Sequence, residues 1–380
     1  MIPILIYSGT NQRAVIAFCR YAKRLNLPIS IVANGSHDTI FLTDFADNVL
    51  LTRPKNELTV TSVIAAARET MRVHSSDQLL ILPSTEYLNR FLLKHVGVLS
   101  QNGISTGLCE ESLYQMISDK FTFSRLCESK GITVPKEFET MPSAFPFVVK
   151  PRSYGKALKE IHEKPILVYS EKDLKKLDKI GDLSNYYFQE YVGGKSFYLL
   201  YYFYKNGSFS VFSQENLIQQ DNGASIILAK SSRIHEEGLG KRFADVFIAC
   251  NFSGLVMVEI KKYRGQDYMI EANPRFWGPS QLILDSNMSL IDDFLVDNSI
   301  TTHRNISDYR DGVPYFWSGG LVQDQSARNS PKFYDYTPDR FFAEYAELYT
   351  KDVYLRKDTI KIYIDECCSE GFSSTIREKQ

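Results

Sequence analysis

The sequence predicts an α/β opening region followed by an α+β body built on antiparallel sheets. Three observations carry that reading: strand–helix alternation over roughly the first 115 residues, a change of pattern near Ser118, and aromatic strands joined by short turns beyond it.

The run "IPILIY" reads as a buried strand, "SGTNQRAVIAFCRYAKRLNLP" as a polar turn and an amphipathic helix, and "ISIVA" as a second strand. "TVTSVIAAARETMRV" follows as a helix, and "QLLILPSTEYLNRFLLKH" as a strand, a polar loop and a helix. Ligands of parallel sheets sit at the carboxyl ends of the strands, where Ser8, Gly9, Ser84, Thr85 and Glu86 fall. In "MISDKFTFSRLCESKGITVP", Ser118 is placed to cap a helix that Gly131 ends and Pro135 follows. Then come the strand "FPFVVK", a helix "SEKDLKKLDKI", and the strands "YYFQEYV" and "FYLLYYFYKNGSFSVFS", with Asn206-Gly207 as a hairpin signal. A helix "LGKRFADVFIAC" precedes the strand pair in "GLVMVEIKKYRGQDYMIEANP".

The composition is that of an ordinary globular chain: 380 residues, 44% hydrophobic and 23% charged, with a formal net charge of -1. Such a balance gives no footprint for nucleic acid or an anionic membrane and leaves small molecules as the expected partners. Six cysteines without CxxC spacing and six scattered histidines suggest reduced thiols and no zinc. The apolar run at the amino terminus is too short for a signal peptide, and no segment reaches the length of a membrane span, so a soluble, cytoplasmic protein is expected. "YSGTNQ" lacks the GxGxxG fingerprint, which argues against a dinucleotide-dependent oxidoreductase.

The most informative stretch is "MIEANPRFWG". Residues 259 and 271 lie equally far from Gly265, so a hairpin centred there sets Glu259 against Glu271 and Met257 against Asn273 on one face. Opposed carboxylates repel, and a divalent cation is the natural compensation. Magnesium takes one or two carboxylates with water and substrate phosphates, and the Asn273 carbonyl can add an oxygen. Arg275, just past the strand, is placed to meet a phosphate or an oxyanion.

Two lysines point the same way. Lys150 ends "FPFVVK" before Pro151, at the mouth of the loop "RSYGKALKE" with Ser153, Gly155 and Lys156; this loop does not match the P-loop pattern. Lys120 falls in the first turn of its helix, where a cation is disfavoured unless an anion is also present. The strand "YYFQEYVGG" offers backbone groups for the edge of a purine, although an aromatic strand is more often simply core.

In this order, "SDKFTFSRLCESKGITVP", "FPFVVKP", "YYFQEYVGG", "LVMVEI" and "YMIEANPRFWG" resemble the ATP-grasp superfamily, which includes D-alanine:D-alanine ligase, biotin carboxylase and carbamoyl phosphate synthetase. The resemblance implies a Rossmann-like preATP-grasp domain over residues 1–115, a small ATP-grasp lobe over 116–192, a large lobe with the metal site over 193–300 and an extension over 301–380. It implies that Lys120, Lys150, Ser153, Gly155 and Lys156 meet ATP phosphates, that Glu190, Tyr191 and Val192 hold adenine, and that Glu259, Glu271 and Asn273 hold one or two magnesium ions. Arg275 becomes the catalytic residue, stabilising the transferring phosphoryl group, and Ser225, Lys230 and Arg233 are substrate-side candidates. The sequence departs from the family in two places: the covering loop is poor in glycine, and Lys195 and Ser196 stand where many members carry a ribose-binding glutamate.

The implied activity is amide-bond formation from a carboxylate and an amine through an acyl phosphate, at the expense of ATP. A small-molecule kinase on the same scaffold and a relative that binds nucleotide without catalysis are the rivals. The aromatic extension beyond residue 300 reads most plainly as core, with a cap over the substrate or a dimer surface as other uses.

Overall fold

The computed structural model describes residues 1–152, 165–178, 180, 183–304 and 307–369, so Ser153, Gly155 and Lys156 lie outside the described residues. The opening region is a five-stranded parallel sheet of β1 (Ile4–Tyr7), β2 (Ile29–Asn34), β3 (Val49–Arg53), β4 (Leu79–Ile81) and β5 (Ile104–Ser105), in the order β3-β2-β1-β4-β5. Every residue of β1 and β4 is buried, as continuous apolar runs require in a sheet covered on both faces. The order reverses between β1 and β4, which opens a crevice at their carboxyl ends.

A four-stranded antiparallel sheet follows, of β6 (Glu137–Phe138), β7 (Phe147–Pro151), β8 (Ile166–Val168) and β9 (Tyr186–Glu190), in the order β6-β9-β7-β8. The large antiparallel sheet has the order β14-β13-β10-β11-β12-β15. Its strands are β10 (Lys195–Phe203), β11 (Phe209–Gln219), β12 (Ile226–Ser232), β13 (Gly254–Tyr263), β14 (Gln266–Asn273) and β15 (Pro314–Phe316), and β16 (Lys332–Phe333) adds to β11.

Several local expectations shift. Asp119, not Ser118, caps the helix Lys120–Ser129, accepting from the N–H groups of Phe121 and Thr122, because Ser118 still belongs to the preceding helix. The stretch "SEKDLKKLDKI" forms only a short 3-10 turn, Glu171–Lys176, with Leu174, Leu177 and Ile180 packed on the small sheet; so short a segment carries little helical stability of its own. Asn206-Gly207 sits in a three-residue loop closed by Tyr204 N–H to the Ser208 carbonyl at 2.9 Å, with Gly207 at φ 84°.

One core joins the parallel sheet to the large sheet. Phe276 meets Phe18 at 6.0 Å and Phe294 at 5.8 Å, both edge-on. Trp277 is buried in the same cluster. The residues after Arg275 therefore clamp the end of β14 against the opening sheet. The extension beyond residue 300 packs Phe316, Tyr336, Phe341 and Leu348 on β11 and β12, as core packing requires. It is tied back to the opening helix Gln12–Arg24 by a two-pronged Arg20–Asp358 pair at 2.8 and 2.9 Å. Cys19, Cys109, Cys127 and Cys250 are free thiols. Among the described residues, no helix is long and apolar enough to cross a membrane.

Candidate active site

The β13–β14 hairpin turns on Arg264 and Gly265, both at positive φ (50° and 77°), and this two-residue turn pairs Tyr263 with Gln266. Continued without interruption, that register would set Glu259 opposite Ile270 and turn Glu271 to the core face. A bulge past Ile260 inserts Ile270 as an extra residue, and Glu271 takes the place across from Glu259. Met257 then faces Asn273. The pairing is the one symmetry about Gly265 predicts, but it arises from a shorter turn corrected by a bulge.

Neighbouring strands complete the face. Glu259 also pairs with Tyr198 on β10, and Lys261, two residues on, points the same way. Ser196 donates to Glu259 at 3.4 Å and accepts from Asn216 at 2.9 Å, while Gln214 donates to Asn216 at 2.7 Å. Ser196 therefore backs the Glu259 carboxylate, and Lys195 pairs outward with Asp335 at 2.8 Å.

This face forms the floor of a cleft of about 820 Å³ lined by all three sheets. From the small sheet comes Lys150, buried on β7, and from the helix start comes Lys120, which pairs with Glu271. Asn273 donates to Glu271 at 2.8 Å and accepts from Arg275 at 3.4 Å, linking metal-type ligands to the guanidinium. Arg275 is also held by the Phe276 carbonyl at 2.9 Å.

The charges in the cleft are mutually adjusted. Burial pushes the Glu259 carboxyl above its usual range; Lys261 opposes this and Glu271 adds to it. Burial acts against Glu271 as well, but the Lys120 ammonium and the Asn273 amide hold its carboxyl below the ordinary value. Lys150 is pushed down to about 7, first by burial and then by Lys120. Among the described residues of this floor, Lys120, Lys150, Lys261 and Arg275 stand with Glu259 and Glu271, a surplus of cations suited to a polyanion.

The link between the two antiparallel sheets, residues 191–194, runs along one rim. Tyr191 and Val192 line the cleft, and the Val192 N–H makes no hydrogen bond among the described residues. Glu190 lines it too, while its backbone N–H and carboxylate are engaged with Lys136 at 2.8 and 3.4 Å. Gly194 lies at φ 79°, and a Cβ there would sit 2.1 Å from the Lys262 carbonyl. Gly194→Ala is expected to cost about 1–3 kcal/mol of stability, the range for strained backbone, and to weaken nucleotide binding. Urea denaturation beside a nucleotide titration checks it; a variant as stable as wild type would show that the link tolerates a side chain.

Of the substrate-side candidates, Ser225 lines the cleft, whereas Lys230 pairs with Glu215 at 3.0 Å and Arg233 with Glu236 at 2.5 Å, both away from it. Gly9, Thr85 and Glu86 reach the cleft from the crevice of the parallel sheet; Ser8 is buried on Asp38 at 2.5 Å, and Ser84 is buried too. Sequence reasoning missed several wall residues. Lys261 was legible by alternation from Glu259. Lys332, pushed down to about 8 by burial, lies over the Tyr191 ring at 4.5 Å and the Tyr334 ring at 5.0 Å, and comes from a distant strand with no local signal. Arg13, Trp317, Tyr354 and Glu366 also line the cleft.

Among the described residues, no three His, Cys, Asp or Glu side chains converge, so the protein alone builds no closed metal cage. Two facing carboxylates beside an amide carbonyl nonetheless suit an ion that completes its shell with water and substrate phosphate.

A parallel-sheet opening domain, a small antiparallel lobe and a large antiparallel lobe around one cleft make up the ATP-grasp fold, and this chain has it. Among solved structures that share it, a biotin carboxylase from Campylobacter jejuni in complex with β,γ-ATP superposes with a TM-score of 0.56 at 15% identity, over 78% of this chain and 70% of that one. An L-amino acid ligase from Bacillus licheniformis gives 0.56 at 15%, over 79% and 74%, and the ADP complex of an N5-carboxyaminoimidazole ribonucleotide synthetase gives 0.57 at 16%, over 86% and 85%. At these identities the likeness is one of fold. No family model and no curated protein matches the sequence.

Proposed function

We propose that the protein is a magnesium- and ATP-dependent carboxylate–amine ligase. The observation that carries this reading is the convergence, in one cleft, of Lys120 and Lys150, the Glu259–Glu271 pair with Asn273, and Arg275. Two nucleotide complexes and an amino acid ligase among the structures of like fold support it.

In this reading Tyr191 and Val192 seat the base, and Lys120 and Lys150 hold the phosphates. Glu259, Glu271 and Asn273 would hold magnesium, which when bound neutralises phosphate charge. The terminal phosphoryl group passes from the ADP oxygen to a substrate carboxylate oxygen. A neutral amine nitrogen then bonds to the acyl carbon, the carbon's bond to the phosphate oxygen breaks, and phosphate leaves as the nitrogen releases its proton to phosphate or solvent. Arg275 meets the charge that develops on the transferring group and the tetrahedral centre. Positioning and cations carry such chemistry, and no protein nucleophile is needed.

The test is ADP release from magnesium ATP across a panel of carboxylate and amine pairs, with product mass as confirmation. Chelating magnesium and Glu271→Ala are each expected to abolish it. Full activity in Glu271→Ala would remove the site assignment. A stable phosphorylated product formed without an amine would make the enzyme a phosphotransferase.

A further inference from the structure

Where the crevice of the parallel sheet meets the C-terminal extension, two opposite charges line the cleft without pairing. Arg13 follows β1 at the crevice of the parallel sheet, and its guanidinium lies 3.7 Å over the Trp317 ring. Nη1 donates to the Ile226 carbonyl and the Tyr315 hydroxyl, each at 3.0 Å. The Nε and Nη2 groups have no hydrogen-bond partner among the described residues. Gly278 leaves the room Arg13 needs, since a Cβ there would come within 2.9 Å of Nη2.

Glu366 enters from the chain's last described turn. Its Oε2 accepts from the Trp317 indole at 2.8 Å, and Oε1 has no partner among the described residues. Burial raises its carboxyl to about 7 against the pull of Trp317 and Arg13. No salt bridge joins Glu366 to Arg13; both groups rest on Trp317, the guanidinium over the ring and the carboxylate at its indole N–H. Asp352, the neighbouring carboxylate, is used up by the N–H groups of Ser318, Tyr354 and Leu355. Trp317, Tyr354 and Trp277 give this end aromatic walls.

A guanidinium edge, a carboxylate oxygen and an apolar wall held apart in one pocket match the three groups of an α-amino acid. We propose that the Arg13–Trp317–Glu366 end of the cleft binds an α-amino acid, its carboxylate on Arg13 and its ammonium on Glu366, as the amine-donating substrate. This rests on the ligase reading for the substrate's role, and on the pocket alone for its binding.

The full chain is tested by calorimetry with a panel of α-amino acids in the presence of magnesium and a non-hydrolysable ATP analogue, and separately by ADP release. Decarboxylated and deaminated analogues of the best amino acid are expected to bind about 10–100-fold more weakly, the loss of one charge-assisted contact. Glu366→Gln is expected to weaken amino acid binding to the same degree while nucleotide affinity stays unchanged. Arg13→Met should do likewise. Because Arg13 also supports Tyr315, Glu366→Gln keeps the test valid if that variant does not fold. Amino acid binding without ADP release would support the pocket and overturn the ligase reading. ADP release driven equally well by amines lacking a carboxylate, or amino acid binding unaffected by Glu366→Gln, would overturn the pocket.

Discussion

Replacing Arg275 with alanine is expected to lower kcat about 100- to 1000-fold, the usual loss when a donor aimed at developing charge is removed. Its side-chain hydrogen bonds are to the Phe276 carbonyl and the Asn273 amide, and it is only half-buried at the cleft, so stability should change little. On the proposed reading Lys120 and Lys150 would still hold the phosphates, so nucleotide affinity should also be near normal. That split marks a group used in the transition state rather than in ground-state binding. Arg275→Lys is expected to recover little, because an ammonium cannot present two parallel N–H donors. Single-turnover kinetics with titrated nucleotide checks this; an Arg275→Ala enzyme with raised KM and intact kcat would reduce Arg275 to a binding residue.

Lys150→Met is expected to stabilise the nucleotide-free protein at pH 7 while sharply weakening nucleotide binding. Lys150 is buried, and its ammonium is pushed from 10.5 down to about 7 by burial and by Lys120. A base with a depressed folded pKa binds fewer protons folded than unfolded between those values, so wild-type stability rises with pH from about 7 towards 10.5. At pH 7 the cost has a ceiling of about 5 kcal/mol, taking 1.36 kcal/mol per unit, and relaxation leaves about 1 kcal/mol or more to be recovered by methionine. The gain should shrink by pH 10. Urea denaturation of both proteins at pH 7 and 10 measures it, and a variant less stable than wild type at pH 7 would show that Lys150 is not strained. On the proposed reading, bound phosphates would raise the pKa of the lysine again, so that it takes up a proton from solvent and its burial is offset. Nucleotide binding above pH 7 should therefore take up protons, visible in buffers of different ionisation enthalpy.

The hairpin shows how far local reasoning reached. Alternation along "LVMVEI" and "YMIEANP", with Arg-Gly between them, was enough to set two carboxylates face to face. It did not predict the two-residue turn or the bulge at Ile270, because a bulge answers to the twist of the sheet and to Met269 packing in the core. Similarly, the order of lysine, hinge and carboxylate segments suggested a shared cleft, while the fates of Lys230 and Arg233 followed from partners across β11 and beside a turn. Ser196 is a further case: its place just after the link 191–194 was legible, but its hydrogen bond to Glu259 depends on strand register.

What the sequence by itself determined is therefore the chemistry of the cleft floor: period-two alternation, turn residues and cap residues act over a few positions and leave a local trace. What only the tertiary structure decided is the far wall. Arg13, Trp317 and Glu366 meet there because the parallel sheet's crevice and the C-terminal extension pack on one shared core around Phe18, Phe276 and Phe294, while Lys332 reaches Tyr191 elsewhere in the cleft from a strand paired with β11. Contacts between residues so far apart in the chain impose no periodicity on either segment, so packing brings them together without any local signal in the sequence.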